Sequence, residues 1–146
     1  MPPSKPVSMP LLRLYPLRGG TQRTQLIDDL LDLAENGKQA AVDEIIDMLD
    51  DLHQNGRACR FLKGLKGIPL FELKPASRGG HKGGARVYLA FNEHDEALVL
   101  NAEMKAQGVD APNPAKIMQA IKMLDAHKNG RLQAGPNAKS ERWWRP

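Results

Sequence analysis

Hydrophobic positions in the first half of the chain recur at helical spacing. Between roughly 22 and 35, leucine and isoleucine side chains fill one broad stripe and aspartates fill most of the remainder, with Thr21 ahead of them as a candidate N-cap. A second pattern of this kind covers roughly 38–54. An Asn-Gly pair follows each pattern, and glycine just past a helix is a common stop signal. The sequence therefore predicts a helical hairpin.

In the second half the hydrophobic period changes to two. Alternation of apolar and polar residues predicts three strands, at 69–74, 86–91 and 97–102. A shorter alternating stretch at 10–17 is flanked by prolines, which favours a strand at the edge of a sheet. Residues 75–85 form a glycine-rich basic loop between the first two of the three consecutive strands.

The end of the chain contains a third helix and a polar segment. Asn113-Pro114 places a capping residue before a proline at the first helical position, and the helix is predicted to run to about 128. The order is β-α-α-β-β-β-α, which indicates an α+β fold with an antiparallel sheet and the helical hairpin packed on one face. Residues 1–130 are predicted to form a single domain, followed by a polar C-terminal tail at 131–146 that carries Trp143 and Trp144.

Length and composition favour a single globular domain without a transmembrane helix or an internal disulfide. A length of 146 residues suits one domain, which at this size buries about two-thirds of its unfolded surface. The longest apolar runs are a few residues, too short for a transmembrane helix, and the proline-rich first ten residues are unlike a secretory signal. A single cysteine, Cys59, excludes an internal disulfide framework. We therefore expect a cytoplasmic protein without a membrane partner.

Charge is segregated along the chain. Residues 21–55 hold two basic groups and nine acids, a net charge of −7. Residues 57–90 hold eight basic groups against Glu72 alone, a net charge of +7. A basic block of this density in a compact domain produces a local positive field, and clustered lysine and arginine side chains favour a polyanionic partner.

Strand alternation places part of the basic block on one side of the sheet. Glu72, Lys74, Arg86 and Tyr88 are predicted to share a face, opposite an apolar face that packs on the helices. We expect the polar face to be open to solvent and cationic. It is either an ordinary solvated face or a surface that binds nucleic acid.

Other basic residues extend this candidate RNA-binding surface. Lys63 and Lys66 lie in the segment LKGLKG just before the sheet. The glycine-rich loop carries three further candidates, whose side chains and neighbouring backbone amides suit phosphate binding: Arg78, His81 and Lys82. The sequence has no nucleotide-binding glycine motif, no zinc-ligand spacing and no triad motif, so no cofactor and no metal are predicted.

RNA cleavage by the ribose 2′-hydroxyl is chemistry that such a face is suited to perform without a metal. The reaction needs a base near the 2′-oxygen, cations on the phosphate and an acid for the leaving 5′-oxygen. Glu72 is a candidate base, and Arg86 and Lys105 are candidates for stabilising the phosphate. Tyr88 is a candidate to hold or protonate an oxygen, or to stack on a base.

The order of segments over about residues 60–125 resembles the HigB/RelE-like toxins of bacterial toxin–antitoxin systems, in particular their phage-derived branch. The segments are LKGLKGIPLFELKP, a basic loop, RVYLAF, a short turn, ALVLNAEMKA and a final helix opened by proline. Arg86 matches the family's strand arginine, Lys105 the first of its paired lysines, and Glu72 the glutamate of its first strand in this region. Lys63 and Lys66 match the family's basic segment.

The resemblance implies a microbial RNase-like fold and ribosome-dependent cleavage of mRNA. It also implies a cognate antitoxin, often a helix-turn-helix protein, as a partner beside the ribosome and mRNA. The chain departs from the family at Lys74, at Ala106 and at Asn101–Met104, where no histidine or tyrosine precedes Lys105. Two alternatives remain open, a non-enzymatic ParE-like gyrase poison and a phage-derived relative that only binds.

Overall fold

A computed structural model describes most of the chain. The described residues form three α-helices and a five-stranded sheet. The structure describes residues 24–75, 84–106, 112–130 and 143–144, and the backbone of 14–16. In chain order the elements are β1 (Leu14–Pro16), α1 (Gln25–Glu35), α2 (Gln39–Asn55), a 3₁₀ turn (Gly56–Ala58), β2 (Leu62–Gly64), β3 (Phe71–Leu73), β4 (Gly84–Phe91), β5 (Ala97–Lys105) and α3 (Pro114–Lys128). The α+β class is confirmed.

The sheet has the strand order β1-β5-β4-β3-β2. Strands β2 to β5 are antiparallel to their neighbours, as predicted, but β1 runs parallel to β5 at the edge of the sheet. No hairpin constrains the direction of β1, because both helices and three strands separate it from β5 in the sequence. Strand β2 was not predicted, since three residues are too few to show a period of two.

Helix boundaries follow local signals closely. Helix α3 begins at Pro114 as predicted, and the side chain of Asn113 accepts a hydrogen bond from the backbone N–H of Ala115 at 2.9 Å. Helix α2 ends before Gly56, whose positive φ of 57° suits glycine. The cap position of α1 is Thr24, three residues later than predicted, and the predicted cap Thr21 lies outside the described residues.

The first hydrophobic core lies between the helical hairpin and one face of the sheet. Helices α1 and α2 pack on alternate residues of three strands, and the strand contribution is Leu73, Ala85, Val87, Leu89, Ala97, Val99 and Ala102. Trp143 and Trp144 also belong to this core, and the indole N–H of Trp144 donates to Asp50 Oδ1 at 2.7 Å. The sequence prediction had assigned both tryptophans to a polar tail, because nothing local indicates which distant helix they pack against.

A second, smaller core lies on the opposite face, under α3. Its strand residues include Tyr88, Leu98 and Leu100. The register between β4 and β5 shifts at Tyr88/Leu89, so that Leu100 is an extra residue in β5. This irregularity turns both Leu100 and Asn101 toward α3. The face predicted to be open is therefore partly covered by a helix.

Candidate active site

The register of the sheet brings polar residues from three strands together on the α3 face. Glu72 in β3 pairs with Tyr88 in β4, and Arg86 in β4 pairs with Glu103 in β5. Lys63 in β2 stands opposite Glu72 on its other side. The predicted shared face for Glu72, Arg86 and Tyr88 agrees with this register.

We define the polar cluster as Glu72, Arg86, Tyr88, Glu103 and Lys105. Their exposed fractions are 6% for Glu72, 1% for Arg86, 0% for Tyr88, 9% for Glu103 and 4% for Lys105. The prediction of a face open to solvent is therefore wrong for Glu72, Arg86 and Tyr88, and Lys74, the fourth residue of that predicted face, is half-buried. Strand alternation establishes which residues share a face, but it carries no information about what lies over that face.

Arg86 lies among acceptors at the start of β4. Its Nε is 3.8 Å from Glu72 Oε1, and its Nη1 donates to the carbonyl oxygen of Ala85 at 3.0 Å. Glu44 of α2 accepts from the backbone N–H of Ala85 at 3.3 Å, which fixes the backbone beside the arginine. The guanidinium is therefore positioned between a carboxylate and the sheet backbone.

Glu103 connects β4, β5 and the start of α3. One of its carboxylate oxygens, Oε2, accepts a hydrogen bond from the Tyr88 hydroxyl and a second, at 3.2 Å, from the backbone N–H of Asn113. Sequence reasoning missed Glu103 as a site residue and noted it only within a departure from the family pattern. Its position two residues before Lys105 on a strand was the available signal, because such residues share a face.

Burial changes the proton affinity of two members of the cluster. Desolvation raises the pKa of Glu72, and this increase outweighs the opposing effect of Arg86, Lys74, Lys63 and Lys105. Burial and the hydrogen bond to Glu103 raise the pKa of Tyr88. The raised pKa of Glu72 is therefore closer to the pKa that suits a general base near neutral pH. The raised pKa of Tyr88 keeps its hydroxyl protonated, so Tyr88 acts as a hydrogen-bond donor.

A second set of polar contacts holds β5 against the helices. Asp29 of α1 accepts from the backbone N–H of Ala102 at 2.9 Å and from Lys116 Nζ of α3 at 3.0 Å. The side-chain amide of Asn101 donates to the carbonyl oxygen of Lys116 at 3.0 Å and to Gln119 at 2.6 Å. These contacts fix the segment of β5 that leads into Glu103 and Lys105.

The predicted RNA-binding residues differ in their exposure to solvent, and three of them lie outside the described part of the chain. Lys63 and Lys66 are exposed, in β2 and the turn after it, and Lys74 is half-buried. Lys63 and Lys74 are close enough to Glu72 to influence its pKa. The remaining three predicted residues, Arg78, His81 and Lys82, lie outside the described residues. Within the described ranges, no group of three or more His, Cys, Asp or Glu side chains is placed to hold a metal ion.

Two comparisons of the chain with known proteins give no match. No protein-family model matches it, and a search of curated proteins finds no match. Among the helices that the structure describes, none has the length and apolar character needed to cross a membrane.

Proposed function

We propose that this protein is a HigB/RelE-like toxin that cleaves mRNA on the ribosome and is neutralised by a cognate antitoxin. The polar cluster is the observation that carries the proposal. It unites a carboxylate of raised pKa, an arginine and a lysine on adjacent strands, which supply the base and the phosphate-stabilising cations that metal-independent phosphodiester cleavage requires.

Glu72 is the general base in this proposal. It removes the proton from the ribose 2′-hydroxyl as the 2′-oxygen attacks the adjacent phosphorus. The phosphorus–5′-oxygen bond then breaks and the 5′-oxygen takes a proton from water, leaving a 2′,3′-cyclic phosphate and a 5′-hydroxyl. A raised pKa makes a carboxylate a stronger base while leaving it ionised when the pH exceeds that pKa.

Arg86 and Lys105 stabilise the negative charge that develops on the phosphate oxygens. The planar guanidinium of Arg86 is held beside Glu72, where it is suited to contact two oxygens at once. Tyr88 holds Glu103 through a hydrogen bond, and Glu103 in turn fixes the start of α3. Tyr88 and Glu103 are positioning residues in this scheme, and this replaces the earlier expectation that Tyr88 itself protonates an oxygen.

The burial of the cluster defines how RNA reaches it. Lys63 is exposed and stands opposite Glu72, so an incoming phosphate meets this lysine first. Contact with Arg86, which is almost fully buried, then requires the side chains above it to move. The ribosome is the partner that supplies mRNA in the required conformation, and an antitoxin with an acidic segment is complementary to the basic block.

The same burial favours a second candidate function. A chain in which Arg86, Tyr88 and Lys105 are all closed off from solvent is also suited to retain the fold as a binding module without cleavage. This candidate covers both the ParE-like gyrase poison and the binding-only relative. It predicts toxicity or binding that does not depend on the charge of Arg86.

Induced expression followed by mapping of mRNA 5′ ends separates the two candidates. We expect the wild type to arrest growth and fragment translated mRNAs. In single-turnover cleavage, Arg86→Ala is expected to lower the rate by about 10²–10³-fold, the effect of removing one electrostatic stabiliser. Arg86→Lys is expected to remain impaired because it loses the planar fork. Lys122→Ala, an exposed position on α3, is the matched control for loss of a positive charge.

Growth arrest with intact mRNA and damaged or relaxed DNA would overturn the cleavage proposal in favour of a gyrase poison. Equal loss of RNA affinity and of apparent rate in Arg86→Ala, with an unchanged rate at saturation, would make Arg86 a binding residue. Circular dichroism and thermal unfolding of each variant establish that a loss of activity does not come from loss of the fold.

A further inference from the structure

A pocket lies at the end of the sheet where β4 finishes, and residues from both faces of the sheet line it. Its volume is about 330 Å³, at the lower end of the ~300–1,000 Å³ typical of small-ligand sites. The lining residues used below are Arg57, Leu70, Phe71, Ala90, Phe91 and Lys128. We call this the end pocket. It is mainly apolar inside, with cationic side chains at its rim.

Flat groups dominate one wall of the end pocket. The rings of Phe71 and Phe91 meet edge to face with centroids 5.1 Å apart. The guanidinium of Arg57 lies 3.8 Å from the centroid of the Phe91 ring, and its Nε pairs with Asp95 at 2.9 Å. The side chain of Arg57 is nevertheless half exposed. An arginine fixed in this way on one face offers its other face for stacking.

The rim of the end pocket is positively charged. Arg57 and Lys128 line it directly, and the lining residue Gly64 follows Lys63, the exposed lysine opposite Glu72. The pocket and the polar cluster are thus connected by a cationic strand edge. A ligand that combines flat, weakly polar surface with negative charge is complementary to this arrangement.

The spacing between pocket and cluster matches a nucleic-acid chain. Ala90 lines the pocket, and Arg86, the proposed phosphate ligand, lies four residues earlier on the same face of β4. Four residues of a strand span about 13 Å. This is the scale of about two nucleotides in an extended RNA strand, so a strand with a phosphate at Arg86 brings a base about two positions away to the pocket.

We infer that the end pocket binds a nucleobase of single-stranded RNA by stacking on Arg57. The inference rests on the proposed function for the identity of the ligand, and it adds a binding site that the sequence resemblance does not assign. Stacking on an aromatic or arginine plane tolerates different bases, because every base presents a flat face. The site therefore contributes affinity and alignment more than sequence preference.

The test measures binding of two uncleavable hexamers that carry identical phosphates. One is 2′-O-methyl hexaadenylate, and the other is the corresponding hexamer of abasic residues. Arg57→Lys keeps the positive charge but removes the stacking plane. We expect it to weaken hexaadenylate binding by about fivefold or more and to leave binding of the abasic hexamer unchanged. Arg60→Lys is the matched control, because Arg60 lies over Phe61 and is absent from the pocket lining.

Equal losses on both hexamers, or equal losses in Arg57→Lys and Arg60→Lys, would overturn the inference. A wild type that binds neither hexamer would overturn it as well, as would equal binding of adenosine monophosphate and hexaadenylate. The proposed function is tested separately, because these ligands cannot be cleaved. Arg57→Lys could weaken binding of hexaadenylate alone while the wild type leaves mRNA intact. That result would support the base-binding pocket and contradict the cleavage proposal.

Discussion

The two faces of the sheet are built from the same strands but differ in what they bury. On the hairpin face, β3, β4 and β5 contribute aliphatic side chains, and the two tryptophans complete an apolar core. On the α3 face, the intervening residues of these strands form the polar cluster beside a smaller apolar core. Alternation along β4 alone separates Val87 and Leu89 from Arg86 and Tyr88.

This difference indicates that the two faces have different roles. Burial of apolar side chains stabilises the fold, whereas burial of charged groups costs free energy unless ion pairs and hydrogen bonds compensate for the lost hydration. A sheet that buries arginine, lysine and two carboxylates keeps groups that a purely structural core replaces with apolar ones. Such clusters with shifted proton affinities are typical of functional sites. We therefore assign stability mainly to the hairpin face and place the proposed chemistry on the α3 face.

Removing the Trp144 side chain is expected to give the largest loss of stability. Trp144 is 1% exposed and packs edge to face on His53 and on Trp143. Trp144→Ala creates a large cavity in the hairpin-face core and is expected to lower the free energy of unfolding by about 3–5 kcal/mol, measured by urea denaturation. Trp144→Phe keeps most of the packing but loses the hydrogen bond to Asp50, with an expected cost of about 1–2 kcal/mol.

Circular dichroism during urea denaturation tests whether the tryptophan variants still unfold in one cooperative transition. Because the assignment gives the hairpin face most of the stability, we expect cooperative unfolding of the whole domain at lower urea concentration. A loss below about 0.5 kcal/mol for Trp144→Ala would mean that the tryptophan adds little to the core, and that the hairpin face does not depend on the chain end.

Much of the architecture was predictable because its signals are local. Period-2 and helical patterns, the Asn-Gly stops and the Asn113-Pro114 cap each depend on a few neighbouring residues, and they located both hairpin helices, α3 and the three consecutive strands. The parallel direction of β1 and the burial of Trp144 depend on contacts between distant segments, which no local pattern contains. The patterns along the sequence therefore indicate neither feature.

The candidate site shows the same limit. Alternation was sufficient to group Glu72, Arg86 and Tyr88, since register follows from strand geometry. Closure of that face depends on where α3 packs, and the role of Glu103 depends on its contacts with Tyr88 and with the start of α3. Both features depend on tertiary contacts between segments that are distant in the sequence. The end pocket likewise forms only when β2, β4 and α3 come together.

Removing the Asp29 side chain is expected to have the second-largest effect, because Asp29 links the two faces. Its carboxylate accepts hydrogen bonds from α1, from β5 and from Lys116 of α3. Asp29→Ala leaves the N–H of Ala102 without this acceptor and is expected to cost about 2–3 kcal/mol in urea denaturation. Asp32→Ala, at an exposed position on the same helix, is the control and is expected to cost less than about 0.5 kcal/mol. Equal costs for the two variants would show that Asp29 makes no special link.

The pH dependence of stability gives the smallest and most specific test of the α3 face. The folded protein raises the pKa of Glu72 above the ordinary value of 4.5, so the folded state binds the proton more tightly than the unfolded chain does. Stability from this group is therefore fully present below pH 4.5 and is lost as the pH rises through the raised pKa. We expect the free energy of unfolding of the wild type, relative to Glu72→Gln, to fall across that window by at most about 1.4 kcal/mol per pH unit.

Urea denaturation of both proteins at half-unit intervals from pH 4 to pH 8 measures this difference. The glutamine variant cannot ionise at position 72, so subtracting its curve removes the contribution of every other titrating group that behaves alike in both proteins. Glu35→Gln, an exposed position on the hairpin, is the control for the loss of a carboxylate. A wild type that gains stability over Glu72→Gln as the pH rises would show that Arg86 and the lysines outweigh desolvation. Glu72 would then be an ion-pair partner of lowered pKa, and its proposed role as the general base would be wrong.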